Sequence, residues 1–385
     1  MKKFFFIIWG DPKFYQTLIF LSQMMSSQKY KVFILVRNLD HKKDIIKKVN
    51  FGKNVTILKS PNLVGNFGNF LEYLIFLIYV SFQFVLKNPE NVIFFNKKGL
   101  FTILLLKILK YRTKFIYHNF DFDLPRNVRS FKEKILIKLE FFCSNFCKYL
   151  VFPSKDRAKI FKKNSANKKS MFYSFLNCFP QKFKTSKSTK FKTYLKKRNL
   201  MNKKIVCYLG SIGPHHYLNE VIKSFKYIDD KTVLIIAGNS INNYASFLRK
   251  QILINKLGNQ IFIIEDVSND YWYEILKNSN LGLCFYNQIN LSHKYMAGTS
   301  QKFNNYLFFN IPMLVNNNLD FKKFKKNYDI FDIVKYNNPI EISISIKKIL
   351  KNNKRFKKIK KNMKRVFLNY LNFEKQYKGS YDKFL

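Results

Sequence analysis

The chain has 385 residues, 47% of them hydrophobic, which excludes wholesale disorder and exceeds what one core usually holds, so two domains are expected. Lys and Arg number 70 against 23 Asp and Glu, a formal net charge of +47. That surplus has two readings: attraction to phosphate or lipid polyanions, or compositional drift, because Lys, Asn, Phe, Ile and Tyr are used heavily along nearly every segment.

The first segment, "MKKFFFIIWGDP", begins like a signal peptide, but its apolar part (4–9) is short and Gly10-Asp11-Pro12 stops it. It reads as a buried strand. Further strands are predicted at 32–36, 55–58, 92–95, 115–117 and 150–152, with helices at about 13–30, 70–86, 99–110 and 130–147. The stretch "FLEYLIFLIYVSFQFVL" (70–86) is at the low edge for crossing a bilayer. It is expected to be the buried helix of a large domain, ahead of a helix lying in a membrane interface. Cys143 and Cys147 could share a helix face, yet no second ligand pair accompanies them. With Cys178, Cys207 and Cys284 they make an odd set without framework spacing, expected as packing thiols in a reducing compartment.

From 180 to 204 the texture becomes basic, polar and almost free of aliphatics, as in a linker. Strands then resume at 205–209, 232–237, 261–264, 281–285 and 313–315, with helices at about 216–228, 243–257, 270–278 and 301–309. Alternation of this kind is the mark of a parallel α/β fold, here as two Rossmann-like halves. The basic tail (342–385) places Ile349, Phe356, Ile359, Met363, Val366 and Phe367 at helical spacing, predicting an amphipathic helix with a solvated lysine face.

Two stretches could carry chemistry. "VCYLGSIGPHHYLNEVI" sets Gly210, Ser211, Ile212 and Gly213 between a strand and a helix, where backbone N–H groups can approach an anion. "GTSQKFNNYLFFNIPMLV" opens a helix near Ser300 with Lys302 in its first turn, against the helix dipole, and Asn305 one turn on. A lysine there makes sense opposite something negative, and an asparagine can both donate to and accept from hydroxyls. Composition and ordinary surface polarity would also supply these residues.

Together these stretches resemble the GT-B glycosyltransferases, particularly the retaining family 4 group that builds bacterial surface polysaccharides. "SQKFNNYLFFNIPMLV" looks like that family's Ser-Pro-x-Lys-apolar-x-Glu/Asp-Tyr pattern, with its following helix, Gly-x-Pro and strand. "CYLGSIGPHHYLNEVIKSF" resembles the opening of the nucleotide-binding domain, and "LIIAGNS" and "IFIIEDVSNDYWYEILKNSNLGLCFYN" its continuation. In the first half "KFIYHNFDF" is similar to the strand ending in a histidine, and "YLVFPSKDRAKIF" to the strand and serine turn before the linker. "NFEKQYKGSYDKFL" is like the last helix of that fold.

The resemblance implies two Rossmann-like parallel-sheet domains facing each other across a cleft. Residues 1–180 would bind the acceptor, 181–203 form a basic linker, 204–368 bind the nucleotide sugar, and 369–385 cross back to the first domain. Asn305 would bind the ribose, and Lys302 with Ser300 and the amides of Gly210 to Gly213 the diphosphate. Asp266 and Val267 would sit against the base. His118 would reach the sugar or acceptor, with Gly10 and Asp121 on the acceptor side. The implied reaction moves a sugar from a nucleotide-sugar co-substrate to a glycan or polyprenyl-diphosphate-linked acceptor, with retention and without a metal or other cofactor. It would take place in the cytoplasm, peripherally at the anionic inner face of the cell membrane, with no specific nucleic acid as partner; oligomeric state leaves no trace in the sequence.

The chain departs from the family pattern at three places. Asn305 replaces a carboxylate, and Ala297 stands where many members carry a second glutamate. The basic residues that usually follow the phosphate glycine are missing, with His215 and His216 nearby instead. Two other readings stay open: a non-hydrolysing nucleotide-sugar epimerase of the same fold, and a non-catalytic basic protein that binds membranes or nucleic acid. A hydrolase triad around His118 lacks any GxSxG elbow.

Overall fold

The computed structural model describes residues 1–37, 49–61, 68–109, 112–185, 188–335, 338–383 and 385. The chain forms two compact units, Met1–Asn177 with Gln376–Leu385, and Cys178–Lys375.

Unit 1 is built on strands β1 (Lys3–Ile8), β2 (Lys31–Val36), β3 (Val55–Lys59), β4 (Asn91–Phe95), β5 (Lys114–His118), β6 (Tyr149–Phe152) and β7 (Met171–Ser174). All pair in parallel in the order β3-β2-β1-β4-β5-β6-β7. The inner strands β1 and β4 are buried almost throughout, which is why they read as unbroken apolar runs rather than as alternations. Edge strand β7 ("MFYS") lacks that run and has one exposed and three half-buried residues, so hydrophobicity alone did not reveal it.

Unit 2 has the order β10-β9-β8-β11-β12-β13, from strands β8 (Lys204–Leu209), β9 (Thr232–Ala237), β10 (Ile261–Ile264), β11 (Leu281–Cys284), β12 (Met313–Asn316) and β13 (Phe331–Val334). Every pair is again parallel. Beneath this sheet, Val206, Tyr208, Leu234, Ile236, Leu281, Leu283 and Leu314 join Leu218, Val221 and Ile222 in one core. Edge strand β13 carries Asp332 in its middle, which masked it in the sequence.

Three expectations change. The helix predicted at 70–86 is present as Gly68–Lys87, yet only 17% of its Phe70–Lys87 window is buried. Phe76, Val80 and Phe84 pack inward while Phe70, Ile78, Phe82 and Val85 are exposed. Its two opposite faces are both apolar, and hydropathy cannot say which one meets the sheet. The stretch read as a linker contains the helix Lys190–Lys197, whose Phe191 and Leu195 are buried; residues 186–187 lie outside the described residues. Phe191 donates its amide to the Glu274 carboxylate at 2.6 Å, which fastens the helix to unit 2. The tail is three helices, Pro339–Lys351, Asn353–Asn369 and Phe373–Ser380. Asn352 breaks the first from the second by capping Arg355 N at 2.9 Å, an N-cap signal inside an otherwise helical pattern.

Candidate active site

In each sheet the strand order reverses beside the first strand of the unit, and open α/β sheets place ligands outside the carboxyl ends of the strands at that point. In unit 2 the reversal falls between β8 and β11. Their pairing is short, with only Leu281↔Val206 and Gly282↔Cys207 in register. Beyond it the Tyr306 hydroxyl stands between the strands. It accepts from Leu209 N at 3.2 Å and faces the Cys207 and Leu283 carbonyls at 3.2 and 3.3 Å, so the backbone groups of the splayed strands are satisfied by a side chain. Gly282 makes room for that ring, since a Cβ there would lie 2.6 Å from it.

Tyr306 thereby fixes the helix Gln301–Phe308 at the reversal point. Ser300 caps it, accepting from Phe303 N at 3.3 Å, and forms a short hydrogen bond with the Tyr286 hydroxyl. One turn before Tyr306, Lys302 is 6% exposed. Its Nζ lies 3.9 Å from the Tyr208 ring centroid and 4.6 Å from that of Tyr286, and it has no hydrogen-bond partner. Two aromatic faces attract the ammonium but do not replace its lost water. Burial pulls its pKa down to about 7. Asn305 is fully buried, and neither its Oδ1 nor its Nδ2 has a hydrogen-bond partner. Its neighbour Asn304, by contrast, is used structurally, donating to Gly298 and Ser300 carbonyls at 2.8 and 3.0 Å. Buried polar groups are nearly always paired, so three open atoms on one helix need an explanation, and a ligand is one.

The loop after β8 lies against this helix. Gly210 has φ +151°, a conformation that strains any side chain, and a Cβ there would make a tight 3.3 Å contact with Lys302 Cε. Gly238, at the end of β9, comes closer still: a Cβ there would fall 1.9 Å from the Gly210 carbonyl oxygen. Not all of the loop amides expected to hold an anion are open. Gly210 N bonds Ala237 O at 3.0 Å and Ile212 N bonds Asn239 O at 2.8 Å, while Ser211 and Gly213 are not taken up this way. The helix predicted from 216 starts only at Leu218, after a single 3₁₀ turn from Pro214 to His216. His216 is buried, its Nδ1 3.3 Å from Phe285 O, and burial together with nearby Lys302 holds its pKa down near 2. It is a neutral wall and does not replace the missing basic residue. Asp266 and Val267 follow β10, two strands from β8; Asp266 is exposed in a left-handed turn, and the Arg249–Glu265 ion pair lies beside it.

In unit 1 the reversal lies between β1 and β4. Gly10 follows β1, and Asn96, following β4, donates to Trp9 O at 3.2 Å. His118 ends β5 fully buried, stacked on Phe95 and Phe120 with centroids 5.5 and 4.8 Å away. Its Nδ1 forms a short hydrogen bond with the hydroxyl of Tyr381, from the C-terminal segment, and its Nε2 has no partner. Burial pulls its pKa down to about 3, so the ring is neutral near pH 7. Asp121 is exposed and pairs with Arg157 at 3.2 Å. Next to His118, Asn119 and Tyr117 both donate to the buried Glu140, at 2.8 and 2.7 Å, and burial raises that carboxyl to about 7.

Gly210, Ser300, Lys302 and Asn305 are thus gathered at one reversal point. Asp266 and Val267 stand on the same sheet edge, and Gly10, His118 and Asp121 belong to unit 1. Sequence reasoning missed Tyr208, Tyr286 and Gly238, whose roles follow from strand order and close approach rather than from any motif. Among the described residues no group of three or more His, Cys, Asp or Glu side chains is placed to hold a metal ion.

No curated protein matches the chain in sequence. Residues 190–366 match the family described as glycosyl transferases group 1. Among solved structures, Anabaena HepE in complex with UDP-glucose aligns with a TM-score of 0.77 at 10% identity, over 100% of this chain and 99% of that one. Sucrose-phosphate synthase from Thermosynechococcus elongatus gives 0.72 at 11% identity, over 98% and 96%. A glycosyltransferase from Rickettsia africae gives 0.70 at 12%, over 98% and 96%. The chain therefore has the GT-B fold, and through its second unit it is related to the group 1 glycosyltransferases.

Proposed function

We propose that the protein is a glycosyltransferase that takes a sugar from a nucleotide donor and passes it to a glycan or lipid-linked saccharide in surface polysaccharide synthesis. The observation that carries this is the set of unpaired buried atoms, Lys302 Nζ and Asn305 Oδ1 and Nδ2, on a helix at the β8/β11 reversal. A nucleoside diphosphate supplies complements to both. Its phosphates would pair with Lys302 and the free amides of the Gly210–Gly213 loop, and its ribose hydroxyls with Asn305. Asp266 and Val267, on the same edge, would contact the base. HepE, whose fold is shared, has been captured with UDP-glucose, which makes a UDP-sugar the first donor to try.

In the reaction the bond from the anomeric carbon to the donor phosphate breaks while a bond to the acceptor oxygen forms. The acceptor proton passes to the departing phosphate, on the same face, so the configuration is retained. Lys302 stabilises the charge that develops on the leaving group, an electrostatic role that needs no general base. His118, neutral at pH 7, is assigned hydrogen bonding through Nε2 rather than proton abstraction, with Gly10 and Asp121 on the acceptor side.

Panels of UDP-, GDP-, ADP- and CMP-sugars test the reading by thermal shift and by release of free sugar. One donor should raise the melting temperature and be slowly hydrolysed. If none binds, the enzyme reading fails; if the sugar changes configuration at a ring carbon without any acceptor, an epimerase replaces it.

A further inference from the structure

The helix Gly68–Lys87 is held to the sheet of unit 1 by one face. Phe76 packs on Trp9 with ring centroids 5.2 Å apart, and Phe84 meets Phe5 and Phe115 at 6.4 and 6.5 Å. Val80, between them, is fully buried. The opposite face carries Phe70, Leu71, Leu74, Ile78, Phe82, Val85 and Leu86, all exposed, with Ile78 at 68%. The helix Ile103–Leu109 packs beside it and extends the face with Leu105, Ile108 and Leu109, Ile108 at 82%. So broad an exposed apolar area on a soluble surface marks a contact.

Among the described residues, basic side chains outnumber acidic ones near this face. Within these two helices the only acid is Glu72, and it is paired with Arg37. Lys98 is exposed beside the two helices, while Lys87 and Lys107 are half-buried and turn toward the sheet, their ammonium groups 5.9 and 6.0 Å from the rings of Phe33 and Phe115. Lys97 and Lys132 lie close enough to Lys98 to repel it.

We propose that this face docks on an anionic lipid bilayer, with the helix lying in the interface and the basic cluster of Lys97, Lys98 and Lys132 against the headgroups. An apolar centre with a basic rim complements a surface that is apolar within and anionic outside. A second copy of this chain would bring two basic rims together. The inner anchors Phe76, Val80 and Phe84 tie the helix to the sheet, so it rests on the membrane and does not cross it. The surface deepens the reading above, and rests on it only in offering a place where a lipid-linked acceptor would be met.

Vesicle sedimentation of the full chain tests this, using phosphatidylcholine alone and phosphatidylcholine with about one third phosphatidylglycerol. Wild type should bind the anionic vesicles, and the double variant Ile78→Glu/Phe82→Glu should lose about tenfold or more in affinity. Both positions are exposed, so its melting temperature should stay near that of wild type. Its donor-induced thermal shift should also be unchanged, which separates this surface from the sugar site. The proposal is overturned if wild type ignores anionic vesicles or the double variant binds them equally. Light scattering that shows a dimer dissolved by the two substitutions would overturn it in favour of self-association. Vesicle binding without any donor shift would leave it standing while removing the sugar reading.

Discussion

Lys302 is the residue on which stability and function pull in opposite directions. Its ammonium is buried over two rings, and its pKa falls to about 7 from the usual lysine value. The unfolded chain keeps that proton until about pH 10.4. The folded state therefore carries a penalty that is full below pH 7 and fades as pH rises toward that value. Lys302→Met keeps the volume and removes the charge. It should stabilise the protein by about 1–4 kcal/mol at pH 6, with the gap narrowing by about pH 9. Melting curves across that range check the sign; a variant that melts lower at pH 6 would show that the charge has a structural partner. The sequence placed a lysine in the first turn of a helix, against the dipole, and that local conflict was legible. That Nζ would be buried without a partner was not, because Tyr208 from strand β8 and Tyr286 from the loop after β11 reach it from places far apart in the chain.

Among elements, the helix Gln301–Phe308 is positioned by Tyr306, and Tyr306 by the absence of a side chain at Gly282. Gly282→Ala would push a methyl into the ring, which lies 2.6 Å from the Cβ position. It should cost about 1–3 kcal/mol and weaken donor binding by displacing Lys302. Gly258→Ala, with nothing within 4 Å of its Cβ, is the matched control and should leave melting and binding unchanged. Equal melting temperatures for the two variants would contradict the assigned role of Tyr306. Most elements were legible because buried parallel strands are unbroken apolar runs and some helices carry their caps in sequence, such as Ser300. Two of the differences share a physical cause. A period in hydrophobicity shows that a face exists but not what covers it, so Gly68–Lys87 was expected inside and Lys190–Lys197 was passed over as linker. Edge strand β13 hid behind Asp332, which Lys325 and Arg355 hold at 2.8 and 2.5 Å.

Across the whole molecule, two parallel sheets each reverse their strand order once; Lys302 and Asn305 hold open buried polar atoms at the reversal in unit 2, and His118 holds one at the end of β5, the strand beside β4, in unit 1. The family resemblance pointed to the residues, while strand order explains why they meet. The surplus of positive charge is spread over both units, but its coincidence with an exposed apolar face in unit 1 could be seen only once that face was found. The central claim is that Lys302 receives a diphosphate, and titration calorimetry with UDP-glucose, or with whichever donor the panel selects, tests it most directly. A bound diphosphate favours the protonated lysine, so affinity should be constant below pH 7 and fall above it, by up to about tenfold per pH unit. Lys302→Met should bind about ten- to a hundredfold more weakly at pH 6 and lose that pH dependence. Wild-type affinity that is flat from pH 6 to about pH 9, matched by Lys302→Met at every pH, would contradict the account.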